Sequence, residues 1–360
     1  MIKCQLNTDC EGPISLNDNA LELTCHFIPQ GMKFFSQVSG YDDYLADIAK
    51  RPGYKAGDTL RLISPFLKAY GATNLKIERY SEANLSLVPG AKEILQFIRQ
   101  RIPIFIVSTS YEPYIRVLCR LLDFPLENVY CTKLDIDGYE IEERETKRLK
   151  ELVEEIVAMP PLEMSSDVQY LQDLSLETQK IIARLDDIFW REMASMKCGR
   201  LLKEINPVGG WEKAQAVLDS LAKTGNSLSE VIYVGDSITD VEALDLVRRN
   251  GGLAISFNGN RYSLKAAEIA CISGHVIVIA ILTCAFSKGG KEKTLWLVRN
   301  WNHSAIRQSG VNDLLMDELI SLYPSTLPRV EIITDSNRNE IIDESETFRR
   351  RLRGGAGRLG

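Results

Sequence analysis

Three short apolar runs along the chain stop abruptly at small or acidic residues, the pattern of buried parallel strands. They are Ile2 to Leu6, ending in Asn7-Thr8-Asp9; Ile102 to Val107, ending in Ser108-Thr109-Ser110; and Val231 to Val234, ending in Gly235-Asp236-Ser237. Each is followed by residues with helical spacing. Strand and helix alternation predicts an α/β fold with a Rossmann-like parallel sheet. Ligands of such sheets bind beyond the carboxyl ends of the strands. All three of these ends carry hydroxyls or carboxylates.

The pattern between the runs divides the chain. Residues 16–85 read as a helical cap inserted after the first strand, and residues 140–205 as a second helical insertion. Residues 1–15, 86–139 and 206–274 are left as the core, and 275–360 as a C-terminal extension. Pro89-Gly90 opens a helix over Ala91 to Arg101, and Tyr114 to Leu122 reads as another. Within Val129 to Ile141, Asp137-Gly138 predicts a hairpin turn. The longest apolar run, Val276 to Phe286, has eleven residues. A bilayer span needs about 20, so it predicts a buried element and no membrane crossing.

Composition adds boundaries. Of 360 residues, 45% are hydrophobic and 26% charged, which excludes collagen-like, disordered and disulfide-framework classes. A net charge of −6 argues against a nucleic-acid partner. The basic stretch Arg349, Arg350, Arg351, Arg353 and Arg358 is expected to be a flexible, solvated tail. Eight cysteines show no metal-ligand spacing and read as reduced thiols; with no secretory leader in the first residues, the expected location is cytoplasmic.

The chemistry lies at the strand ends. Asp9 and Glu11 stand two apart in D-C-E-G-P, so that in an extended segment they project to one side. Two such carboxylates can divide the work of nucleophile and general acid/base. Ser108, with Thr109 beside it, can offer hydroxyl and backbone N–H groups to an anion. Lys213, near a helix start, can offer positive charge. Asp236 and Asp240 in G-D-S-I-T-D offer oxygens that suit Mg²⁺. Together they equip a site for phosphoryl transfer through an aspartyl-phosphate. The sequence L-D-I-D-G at 134–138 also fits an Asp-x-Asp-Gly pattern, but it falls after the second strand and reads as a turn.

In this order and context the motifs resemble those of the haloacid dehalogenase superfamily. D-C-E-G looks like its first motif, I-F-I-V-S its second, Lys213 its third and G-D-S-I-T-D its fourth. The chain is similar to an archaeal group of predicted phosphatases with a D-x-E-G-P start, some labelled as a subunit of an energy-converting hydrogenase. The resemblance covers the three core segments, and the two insertions fall where this superfamily carries caps. It implies that Asp9 becomes phosphorylated and that Glu11 is the acid/base, its backbone carbonyl also facing the metal. It implies that Ser108, Thr109 and Lys213 hold the phosphoryl group, while Asp236 and Asp240 bind Mg²⁺ with Asp9. The expected function is a Mg²⁺-dependent phosphohydrolase acting on a small phosphorylated metabolite. Most of the superfamily has Asp where Glu11 stands, and a branch reading D-L-E-G also transfers to alcohols. A phosphotransferase, or a non-catalytic subunit of a larger complex, therefore remains as an alternative. A protein partner and a second copy of the chain are both left open.

Overall fold

The computed structural model describes residues 3–162, 170–354 and 357. Ile2 of the first expected strand and Arg358 of the expected tail lie outside them.

Strand β1 (Gln5–Thr8) is followed by helices α1 (Asn19–Phe27), α2 (Gly31–Asp43), α3 (Thr59–Ala69), α4 (Asn74–Asn84) and α5 (Ala91–Arg99). Next come β2 (Ile104–Tyr111), α6 (Glu112–Leu122), β3 (Val129–Thr132), α7 (Glu143–Ala158), α8 (Leu176–Asp187), α9 (Gly199–Glu204) and α10 (Trp211–Thr224). Then follow β4 (Val231–Gly235), α11 (Val241–Arg249), β5 (Leu253–Phe257), α12 (Arg261–Ala266) and β6 (Ile269–Ile272). The chain continues through α13 (Ile277–Arg299), α14 (His303–Gln308), α15 (Asp313–Leu322), β7 (Arg329–Ile332) and α16 (Arg338–Arg353).

The seven strands form one sheet in the order β3-β2-β1-β4-β5-β6-β7, parallel except for β7, which runs antiparallel on the β6 edge. The chain moves outward from β1 to β2 and β3, then returns to place β4 on the other side of β1. This reversal puts the topological switch at the carboxyl end of β1, where a doubly wound sheet opens a crevice. Leu6, Ile104, Ile106, Ile232 and Val234 are buried on these central strands. Gln5 and Asn7 on β1 are buried too, and both bond Ser220 of α10, at 2.7 and 2.9 Å. Polar residues in the central strand thereby dock the helix that carries Lys213.

The two insertions build one body. Phe34, Phe35, Leu62 and Phe66 from the first share a hydrophobic cluster with Leu149, Leu152, Leu185 and Phe189 from the second. Tyr111, at the end of β2, joins that cluster from the sheet, while Leu6, Ile104 and Ile232 of the central strands belong to a separate one.

Several local expectations are corrected. The second strand does not stop at Val107. It runs to Tyr111, and its register with β3 shifts between Val107 and Tyr111, so Ser108 lies inside an irregular strand end. There is no hairpin at Asp137-Gly138: Ile136–Gly138 is a 3₁₀ turn, and β3 pairs parallel with β2. The Asp135 and Asp137 carboxylates instead accept hydrogen bonds from Asn74 at the start of α4 (2.6 and 3.2 Å) and tie the cap down. The basic stretch near the end is not a solvated tail through 353. Residues 338–353 form α16, whose four-residue spacing aligns Ile341, Ser345, Arg349 and Arg353 on its buried side. Val276 caps α13 and Ile277 to Phe286 lie within it, packed in the core, and among the described residues no helix is long and apolar enough to cross a membrane.

Candidate active site

The turn after β1 carries the first group. Asp9 is buried, and its Oδ1 accepts a hydrogen bond from its neighbour's backbone, Cys10 N, at 2.6 Å. Gly12 takes φ +93°, and a Cβ there would run into the Asp236 carboxylate. The turn thus needs glycine twice over, for its backbone and for the approach of Asp236.

Lys213 is fully buried at the start of α10, where Gly210 (φ +56°) turns the chain into the helix. Its Nζ donates to Asp9 Oδ2 at 2.6 Å and to Asp240 Oδ1 at 2.8 Å. One ammonium therefore serves two carboxylates. Asp240 has more support: Tyr233 Oη donates at 2.8 Å, and the backbone N–H groups of Asp236 and Ser237 donate to Oδ2 at 3.0 and 3.1 Å. Burial pushes Asp240 up, but Lys213 and these donors prevail and hold it below the usual carboxylate range. Asp9 has fewer donors, so burial and the charge of Asp240 raise it. The two carboxylates in turn hold the Lys213 ammonium well above its ordinary range, against burial.

Glu11 turns away from this pair. Its Oε1 accepts from Ser110 Oγ at 2.6 Å and from Asn19 N at 3.0 Å. Burial, with the nearby charge of Asp18, pushes it up to about 7. A carboxyl poised there exchanges a proton readily at neutral pH. Ser108 is fully buried, and its Oγ accepts from Ser110 N at 3.1 Å. The hydroxyl hydrogen is thereby left to be aimed elsewhere. Thr109 Oγ1 donates to Val208 O at 2.9 Å, which leaves the hydroxyl engaged with the core.

The carboxylates of Asp9, Asp236 and Asp240 each place an oxygen within 4.8 Å of the other two. An all-oxygen set of this kind fits a hard divalent cation. The Glu11 carboxylate is not in that set, and of the three Asp240 is held by Lys213, Tyr233 and two backbone N–H groups.

Two arginines absent from the sequence-level site stand here. Arg349 Nη1 bonds both the backbone oxygen and Oδ2 of Asp236. Arg353 Nη1 reaches the same Oδ2 at 3.0 Å. Charge density alone pointed these residues to solvent. The usable signal was the four-residue spacing from Ile341, which places them on the face of an apolar anchor.

A cleft of about 110 Å³ opens here between sheet and cap, with Arg349 and Arg353 in its lining. Asp9, Glu11, Ser108, Thr109 and Asp236 form its floor. Phe35, Ser39, Asp42, Thr59 and Leu60 close it from the cap. The structure thus gathers Asp9, Glu11, Ser108, Thr109 and Asp236 on one surface, with Lys213 and Asp240 behind Asp9. Cys10 is buried, faces Ser15, and takes no part in the cleft.

No family model matches the chain. The solved structure of gene product AF1437 from Archaeoglobus fulgidus superposes with a TM-score of 0.80 and 29% sequence identity, covering 100% of this chain and 99% of that one. Phosphoserine phosphatase ThrH of Pseudomonas aeruginosa is 27% identical over 136 residues, a match that takes in 36% of this chain and 63% of the relative. The chain therefore spans less than two thirds of that relative's length.

Proposed function

For a chain that has the haloacid dehalogenase superfamily fold, we propose a phosphohydrolase that moves the phosphoryl group of a small phosphate monoester to Asp9 and then to water. The observation that carries this reading is the buried Asp9–Lys213 contact (2.6 Å) at the carboxyl end of the central strand, under the cap. Lys213 orients the Asp9 carboxylate and offers charge to the incoming phosphoryl oxygens. In this reading the Ser108 hydroxyl and the Thr109 backbone N–H receive those oxygens. Glu11 gives its proton to the departing alcohol oxygen and later takes one from the water that attacks the aspartyl-phosphate. Asp9 and Asp236, with Asp240 behind them, are the residues that would hold Mg²⁺. A bound Mg²⁺ would supply neutralising charge to the transferring group.

The cleft is small, which favours a compact metabolite over a macromolecular phosphate. The named activity of the relative makes phosphoserine the first metabolite to try. The test is phosphate release from an aryl phosphate and from phosphoserine, with Mg²⁺, with chelator, and in Asp9→Asn. Release that needs Mg²⁺ and falls by roughly 10³-fold or more in the variant is the expected result. Wild-type turnover by Asp9→Asn would overturn the assignment of the nucleophile. Added alcohols that divert phosphate from water would move the chain to the phosphotransferases.

A further inference from the structure

Asp236, directly after β4, lines the cleft, and its Oδ2 is shared by two guanidinium groups, those of Arg349 and Arg353. Both arginine side chains are almost wholly buried, at 4% and 3% exposure. Arg353 is also braced from the other side of the site. Its Nε donates to Leu16 O at 3.1 Å and its Nη2 to Asn17 O at 2.5 Å, both in the segment that follows the Asp9 turn. The guanidinium thus bridges the β1 and β4 loops, the same two loops whose carboxylates gather into the acidic set.

We infer that Arg349 and Arg353 hold the cation position at Asp236, so that a divalent ion and the docked last turn of α16 exclude each other. This rests on the proposed role of Asp236 as the ion's carboxylate. A magnesium-sized ion binds such an oxygen directly, at about 2.0–2.1 Å, and tolerates little departure from its preferred geometry. Two donors already occupy that oxygen. In a buried site charges are poorly screened, so an added dication would stand against two fixed positive groups. With the arginines in place, they offset part of the acidic charge of Asp9, Asp236 and Asp240 that would otherwise draw the ion in. With the arginines withdrawn, that acidic set is left for the ion to neutralise.

The helix is built for such an exchange. Its first half is anchored independently of the site. Ile341 is buried, Ser345 Oγ donates to Gly259 O at 2.7 Å, and Glu340 pairs with Arg329 at 2.9 Å. Its last turn is held at the cleft by Asp236 and by the two carbonyls of Leu16 and Asn17. Gly354, at φ +57°, ends the helix directly afterwards. The last turn can therefore leave without unseating the rest.

Mn²⁺ serves as the probe, its binding read by electron paramagnetic resonance. The proteins are the full chain, Arg349→Gln/Arg353→Gln, and Asp236→Asn. Amide hydrogen exchange over residues 345–353 is followed in the full chain as Mn²⁺ is added. The double variant is expected to bind Mn²⁺ roughly tenfold more tightly, and exchange over that helix end to rise roughly tenfold at saturation. Loss of nearby positive charge would alone tighten binding without moving the helix, so the exchange measurement decides. Mn²⁺ bound with the helix end still protected overturns the exclusion, as does equal or weaker binding by the variant. If the variant does not fold, exchange in the wild-type protein settles the question by itself. If Asp236→Asn binds Mn²⁺ as the wild type does, or if no protein binds it, the metal role of Asp236 falls and the exclusion with it. Loss of binding in Asp236→Asn without tightening in the arginine variant removes the exclusion alone.

Discussion

Asp42 sits in the cap wall of the cleft at 5% exposure, its Oδ1 accepting the Tyr54 hydroxyl at 2.6 Å. Burial is the largest influence on it, and it is pushed up to about 7, with Asp58 adding to the rise and the Tyr54 and Thr59 hydroxyls opposing it. In an unfolded chain the same carboxyl titrates near 3.9. Between about pH 4 and 7 the folded protein thus binds the proton that the unfolded chain releases. The group's favourable contribution is present below that window and is lost as pH rises through it. At about 1.36 kcal/mol per pH unit of difference, the loss is at most about 4 kcal/mol. Asp42→Asn removes the titration and keeps an acceptor for Tyr54. Thermal denaturation of the two proteins from pH 5 to 8 should show the variant gaining on the wild type as pH rises. Parallel curves would sink this account. At this same scale the legible part of the site is Asp9, Lys213, Asp236 and Asp240, because each lies beside the end of an apolar run or the start of a helix. Arg349 and Arg353 were not legible. Their segment is rich in charge, with Ile341 and Ser345 the only uncharged markers of the face they share, and charge in sequence does not reveal that a carboxylate waits on the opposite wall.

Among the elements, the first strands showed themselves by apolar runs ending in hydroxyl or acid, and the α/β class followed from three of them. Strand β7 gave no such signal, since Arg329, Val330, Glu331 and Ile332 alternate on an edge. The division into two insertions was also a matter of sequence order, whereas packing is blind to order. Phe189, buried in the turn of π-helix just after α8, stacks on Tyr41 of α2 with centroids 5.6 Å apart and meets Phe66 of α3 edge-on at 6.1 Å. One side chain therefore ties the second insertion to two helices of the first. Phe189→Ala should lower stability by about 3–5 kcal/mol, the usual range for a buried phenylalanine. Its sharper consequence concerns cooperativity. Amide exchange should rise together in α2, α3 and α8 while β1, β2 and β4 stay protected, because the cap cluster and the sheet cluster are separate. Protection lost only around α8 would show that the insertions are two units.

On the scale of the whole molecule, the cleft of about 110 Å³ is bounded on one side by the sheet and on the other by the cap. A site between two such bodies is expected to open and close by motion of the cap relative to the sheet, and that motion can limit the rate. The two bodies meet away from the site as well. Tyr262 Oη, on α12, donates to Asp47 Oδ2 of the cap at 3.2 Å. Both residues lie outside the cleft wall, so a bridge between them restrains the cap without touching the chemistry. With Asp47→Cys and Tyr262→Cys in a Cys25→Ser background, since Cys25 is exposed, a short bismaleimide with a reducible centre can join them. Phosphate release by the bridged protein should fall roughly tenfold or more and return when the bridge is reduced. The two unbridged cysteine variants should keep the uncrosslinked rate, since neither residue lines the cleft. A bridged protein that turns over at full speed would mean that the cleft admits its ester through a cap that stays closed.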